Sequence, residues 1–177
     1  VHQPGSVAEA RAGRARLAWE EFLCVHLLQR RANFLARETR SGITFENRRV
    51  LTRQLREALP FTLTGAQVRA VREIVADLCS PRRMHRLLQG DVGSGKTVVA
   101  LFAAMLAMEN GWQVAFMAPT ELLAEQHART ADTLLAPLGI SPVLLTGRLG
   151  AKERRAALTR LASVDPVLAI GTHALFQ

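Results

Sequence analysis

Eight residues, Gly90-Asp91-Val92-Gly93-Ser94-Gly95-Lys96-Thr97, fit the pattern Gly-x-x-x-x-Gly-Lys-Thr without a gap. Each fixed position answers a demand of phosphate chemistry. The glycines let the backbone curl so that successive N–H groups face an anion, and the helix that follows offers its positive end. Lys96 brings a mobile point charge to the β- and γ-phosphates, and the Thr97 hydroxyl is of the kind that coordinates Mg2+. A chance match occurs in roughly one of a couple of hundred chains of this length. Here the context also agrees: Arg86–Gln89 reads as a short strand into the loop, and Thr97–Asn110 as a helix out of it. The segment is expected to hold the phosphate end of ATP, with Lys96 and Thr97 nearest the chemistry.

Upstream lies Phe61-Thr62-Leu63-Thr64-Gly65-Ala66-Gln67. A Gln amide can pair with both edge groups of an adenine, and an aromatic such as Phe61 can stack on the base. By itself Gln67 reads better as a surface side chain on a helix. Downstream, Pro119-Thr120, Thr146-Gly147 and Gly171-Thr172-His173 each follow an expected strand. Singly these are ordinary turns and helix caps. In a row they look like a track for a phosphodiester backbone.

The elements that must position these residues follow from hydrophobic period and punctuation. Residues 6–40 read as a long helix or helical hairpin, with Trp19, Leu23, Leu27 and Phe34 near helical spacing, broken at Ser41-Gly42. A second helix is expected over Phe45–Ala58, ended by Pro60, and a third from an N-cap at Thr64 to about Leu78. Strands then alternate with helices: Arg86–Gln89, Gln113–Ala118, Pro142–Thr146 and Val167–Ile170, separated by Thr97–Asn110, Thr120–Leu135 and Ala151–Ala162. That alternation implies an α/β fold with a parallel sheet flanked by helices, which binds ligands beyond the carboxyl ends of its strands; with the Gly90–Thr97 loop it resembles the RecA-like arrangement of P-loop NTPases. The expected division is a helical linker over residues 1–60 and an incomplete α/β lobe over 61–177. Val167–Ile170 is expected at an unpaired sheet edge, through which two copies would associate.

Composition narrows the class. The 177 residues carry a net charge of +8, and Lys96 and Lys152 are the only lysines. Such a basic balance suits a nucleic-acid partner, though solvated arginine faces would produce it too. Nearly half the residues are hydrophobic, so a packed core is expected rather than disorder. No apolar run approaches a membrane span, Val1–Gly13 lacks the apolar centre of a signal peptide, and the chain reads as cytoplasmic. Cys24 and Cys79 fit no metal or redox spacing, and each is expected to be a buried thiol.

Taken together these segments resemble the RecG family of bacterial ATP-dependent DNA helicases, in helicase superfamily 2. The carrying residues are Leu59–Gln67, Leu87–Thr97, Ala118–His127, Leu144–Gly147, Lys152–Arg155 and Gly171–Gln177, with an arginine-bearing linker helix over Arg14–Arg31. The transcription-repair coupling factor and the primosomal helicase PriA share the loop but fit Phe61–Gln67 and Gly171–Gln177 less well. The resemblance implies ATP and Mg2+ as cofactors and an adenine-reading role for Gln67. It implies DNA contacts at Pro119, Thr120, Thr146, Gly147, Gly171, Thr172 and His173. Its implied partners are forks and Holliday junctions in repair and recombination, in the nucleoid of a bacterial cytoplasm. The family's next motif, a strand ending Asp-Glu-x-His, has no counterpart: the chain contains no Asp-Glu pair. The expectation is therefore an internal fragment that binds nucleotide without DNA-stimulated hydrolysis. Two other classes compete. A P-loop phosphotransferase would use Arg148, Arg154 and Arg155 as its lid, and a non-enzymatic DNA-binding module would use the arginine-rich N-terminus.

Overall fold

The computed structural model describes residues 5–39 and 42–176; Arg40, Ser41 and Gln177, which close two of the expected segments, lie outside them. The chain divides into two compact units, Val1–Gly42 and Ile43–Gln177. The boundary thus falls after Gly42 rather than after Pro60.

The first unit holds one helix, α1 (Val7–Thr39). Its start is set by local chemistry. The Ser6 hydroxyl accepts from the Glu9 N–H at 3.2 Å, and the Glu9 carboxylate reaches back to the Gly5 N–H at 2.8 Å. This reciprocal arrangement satisfies N–H groups that a helix start leaves without partners. Trp19, Phe22, Leu28 and Phe34 are exposed along it. Cys24 is exposed as well, against the expectation of a buried thiol. A unit with a single helix has no interior in which to bury one.

The second unit carries α2 (Leu51–Ala58), α3 (Gly65–Leu78), α4 (Lys96–Glu109), β1 (Val114–Met117), α5 (Glu121–Leu135), β2 (Val143–Leu145), α6 (Ala151–Leu161) and β3 (Leu168–Gly171). The helix α4 is apolar almost all round: Val98, Val99, Leu101, Phe102, Ala104, Met105, Leu106 and Met108 are buried. A helix with no polar face belongs in the middle of a core. Around it close Leu55 of α2, Leu135 of α5, and Leu168 and Ile170 of β3. Leu55 is fully buried, which is why α2 belongs to this unit and not to a separate linker. A second apolar cluster, Val143, Leu145, Ala157 and Val167, seals α6 against the other side of the sheet's β2 edge.

Two elements differ from the sequence reading. The α2 helix begins at Leu51 rather than Phe45. Just before it, Arg49 sits at φ 55°, a left-handed conformation that interrupts any helix. Arg86–Gln89 is not part of the sheet. Only two of its four residues are apolar, and its first is drawn to α3, where the Arg86 guanidinium bonds Asp77 at 2.7 Å and also pairs with Glu73.

The sheet is parallel, in the order β1-β3-β2. Its middle strand is β3, buried at all four positions, as a strand flanked and covered on both sides must be. This corrects the expectation that Val167–Ile170 forms an edge. Chain order does not reveal it, because β1 and β2 are successive strands that do not pair; β3 inserts between them. Among the described residues, the outer sides of β1 and β2 are the sheet's edges. No helix among those residues is long and apolar enough to cross a membrane.

Candidate functional site

The loop between residue 89 and α4 is exposed, with Val92 fully in solvent. Its curl rests on Gly93 at φ 80° and Gly95 at φ 79°, values that side-chain-bearing residues avoid. A turn closes where the Ser94 N–H donates to the Asp91 carbonyl at 3.2 Å. Gly95 then serves as the N-cap of α4, whose first residue is Lys96. The Lys96 ammonium arches back over its own loop, donating to the Gly90 carbonyl at 2.8 Å and the Asp91 carbonyl at 2.7 Å. A phosphate would offer the same three donors charged oxygens, which make shorter and stronger bonds than neutral carbonyls. Thr97 follows on the first turn, half-buried. Glycines where side chains would intrude, a lysine folded across the mouth and a helix N-terminus behind it fit an anion of phosphate type.

Gln67 lies against this loop, which its sequence position alone does not disclose. Its backbone N–H donates to the Thr64 hydroxyl at 3.3 Å, and its side-chain oxygen accepts from the Thr64 N–H at 2.9 Å. Its side-chain nitrogen donates to the Ser94 carbonyl at 2.9 Å. A Cβ on Gly95 would strike that same amide nitrogen, so the loop glycine also makes room for Gln67. Phe61, four residues before the α3 start at Gly65, is about half exposed.

The three strand ends expected to form a track do meet. The register sets Met117 of β1 beside Gly171 of β3, and Gly171 beside Leu145 of β2. Parallel pairing therefore delivers Pro119-Thr120, Thr146-Gly147 and Thr172-His173 to one end of the sheet. They are not equally accessible. Pro119, Thr120, Gly147 and His173 are exposed, whereas Thr146, Gly171 and Thr172 are buried. Gly171 has a packing reason: a Cβ there would run into the Leu145 carbonyl oxygen, and lie 3.1 Å from Leu175. Thr120 caps α5, its hydroxyl accepting from the Leu123 N–H at 3.3 Å.

Between two of these ends sits an ion pair absent from the sequence reading. Arg148 Nε lies 2.7 Å from Glu121 Oε2, with Arg148 mostly exposed and Glu121 three-quarters covered. Glu121 Oε1 also lies 3.0 Å from where a Gly147 Cβ would stand. The carboxylate thus fills the space beneath Gly147 and aims the arginine outward. Two hints were available: Glu121 is the first residue of a capped helix, and Arg148 follows a Thr-Gly turn.

Residues 64–177 match the DEAD/DEAH box helicase family. The chain belongs to the DEAD/DEAH box helicases. Within that family it is 44% identical over 179 residues to the ATP-dependent DNA helicase RecG of Bacillus subtilis, covering all of this chain and 26% of the relative. It is 52% identical over 127 residues to RecG of Escherichia coli O127:H6, covering 72% and 18%. A solved structure of RecG bound to a three-way DNA junction superposes with a TM-score of 0.82 at 40% identity, covering 98% of this chain and 24% of that one. The chain spans about a quarter of the length of these relatives. Membership of the DEAD/DEAH box helicases sets a P-loop phosphotransferase aside.

Proposed function

We propose that this chain is the nucleotide-binding part of an ATP-dependent, RecG-like DNA motor that acts on branched DNA in repair and recombination. The observation that carries the proposal is the bond from Gln67 to Ser94. It joins a side chain suited to reading adenine to the loop suited to holding phosphates. In this reading Gly90–Gly95 and Lys96 hold the phosphates. Gln67 reads the adenine edge after releasing one of its present partners, and Phe61 stacks on the ring. The Thr97 hydroxyl would hold Mg2+, which supplies charge neutralisation at the β- and γ-phosphates. Helicases of this type need acidic residues to polarise the attacking water; the chain has no Asp-Glu pair, so its own part is binding and orientation.

The DNA backbone is assigned to the exposed strand ends, Pro119, Thr120, Gly147 and His173, with Thr146, Gly171 and Thr172 shaping that surface from beneath. The similarity to a RecG structure solved with a three-way junction supports branched DNA as the substrate. The basic charge and the family support a bacterial cytoplasmic, nucleoid-associated setting. Self-association through the open sides of β1 or β2 is the form a dimer would take.

The test is equilibrium binding of a fluorescent ATP analogue and of a labelled three-way junction to the 177-residue chain. Saturable, Mg2+-dependent nucleotide binding is expected, lost in Lys96→Ala. Robust DNA-stimulated hydrolysis by this chain, or nucleotide binding indifferent to Lys96, contradicts the reading.

A further inference from the structure

The helices α3 and α4 each carry one half of the proposed nucleotide site on their first turn: Gln67 on α3, and Lys96 and Thr97 on α4. They are joined at that end by the Gln67–Ser94 bond. They are joined again at their far ends, about 20 Å away at 1.5 Å per residue over 14 residues each.

The far tie is a strap, residues 44–52. Its first part binds α3: the Phe45 N–H donates to the Leu78 carbonyl at 3.1 Å, and the Thr44 hydroxyl to the Ser80 carbonyl at 3.5 Å. Its second part binds α4. Asn110 accepts from the Glu46 N–H at 2.8 Å and donates to the Glu46 carbonyl at 2.9 Å. The Glu109 carboxylate accepts from the N–H groups of Arg49, Val50, Leu51 and Thr52, at 3.2, 3.0, 3.0 and 3.4 Å. Those of Val50, Leu51 and Thr52 are among the N–H groups that the start of α2 leaves without helical partners. The last residue of α4 therefore caps the start of α2 from elsewhere in the chain, and it also bonds the N–H of the left-handed Arg49.

We infer that Glu109 and Asn110 are positioning residues of the nucleotide site, acting through α3 and α4. The inference rests on Gln67 being the adenine-facing residue. Side-chain packing between two helices leaves their crossing angle a scatter of about 15–20°, whereas ties at both ends narrow it to one setting. The selected setting is the one that places the Gln67 amide 2.9 Å from the Ser94 carbonyl. A shift of under 1 Å takes that bond out of range. The strap touches neither Gln67 nor the loop, so its effect is on the placement of the amide relative to the cradle. Adenine selectivity depends on that placement; phosphate binding, which uses α4 and its loop alone, does not.

The experiment measures the affinity of the full 177-residue chain for Mg2+-ATP, Mg2+-GTP and inorganic tripolyphosphate, with circular dichroism to establish folding. The variants are Glu109→Ala, Glu109→Gln and Asn110→Ala. Val167→Ala, which opens the separate cluster at β2 and α6, is the control for plain destabilisation. The preference for ATP over GTP is expected to fall about tenfold in the strap variants, equivalent to about 1.4 kcal/mol. Tripolyphosphate affinity is expected to change less than about twofold, and Val167→Ala to keep the wild-type preference. Folded strap variants that retain that preference, or that lose tripolyphosphate binding in proportion, overturn the inference. Should Glu109→Ala not fold, Glu109→Gln and Asn110→Ala decide the matter. A wild-type chain that binds tripolyphosphate but does not prefer ATP, with Gln67→Ala unchanged, sinks the adenine reading and the inference with it. A wild-type preference lost in Gln67→Ala but kept in the strap variants sinks the inference alone.

Discussion

The Gln67 side-chain nitrogen donates to the Ser94 carbonyl at 2.9 Å, while the oxygen of the same amide accepts from the Thr64 N–H at 2.9 Å. One side chain therefore caps α3 and braces the phosphate loop. Gln67→Ala removes both bonds and half of a reciprocal cap, a loss of about 1–2 kcal/mol by the usual worth of caps and hydrogen bonds. Urea titration should show a lower midpoint with an unchanged slope. An unchanged midpoint means the amide is solvated rather than bonded.

Among the described residues, the Lys96 ammonium hydrogen-bonds to the Gly90 and Asp91 carbonyls of its own loop. Lys96→Ala should leave the fold intact, abolish nucleotide binding and spare most DNA affinity. Loss of both ligands together would place DNA and nucleotide in one shared site.

Gly171 and Gly147 look alike as strand-end glycines, yet they face different neighbours. A Cβ on Gly171 would meet the Leu145 backbone, which cannot give way without breaking the β2–β3 pairing. One on Gly147 would meet the tip of the Glu121 side chain, which can swing aside. Gly171→Ala should cost about 3 kcal/mol, the upper range for overpacking, and Gly147→Ala well under half of that. Thermal melts of the two variants decide it; equal losses would refute the contrast.

The Glu121–Arg148 pair is exposed on the arginine side, so its own worth to stability is at most about 1 kcal/mol. Under the proposed function Arg148, next to Gly147, joins the surface assigned to DNA. Arg148→Ala should weaken junction binding and reduce the slope of log affinity against log salt by about one, as expected for one lost phosphate contact. Glu121→Gln should strengthen binding by unmasking the arginine. Opposite or null effects remove Arg148 from the DNA surface.

The two thiols should differ in reactivity. Cys24 is exposed and Cys79 half-buried. Burial, and secondarily the nearby Glu109 carboxylate, raise the Cys79 pKa above the ordinary thiol value, so less thiolate forms near neutral pH. Timed alkylation at pH 7.5 should label Cys24 first, and the gap should narrow as pH rises through the range where Cys79 ionises. In Glu109→Gln, Cys79 labelling should speed up, because the opposing charge is gone.

Much of the architecture was legible in the sequence because its signals are local. The Thr64 cap with Gln67 three residues on, the all-apolar run from Val98 to Met108, and the Gly-Lys-Thr start of α4 are each written in a few consecutive residues. Of the candidate site, the sequence showed the glycine-rich loop before α4 and the strand ends as places. Cys24 and the strand at Arg86–Gln89 were misread for one reason, since burial and sheet pairing depend on what lies across from a residue rather than beside it.

By itself, then, the sequence determined most of the helices, the three paired strands and the membership of a helicase family, all consequences of short-range spacing and capping. Only the tertiary structure decided that β3 lies between β1 and β2 and that Thr146 and Thr172 are buried beneath the surface they were expected to line. It alone brought Gln67 to Ser94, Glu121 to Arg148, and Glu109 to the start of α2. Those partners are 27, 27 and 59 residues apart in sequence, and no local preference specifies them. They form because burying the apolar faces of α2, α4 and the sheet in one core brings these polar groups at its rims within reach of each other.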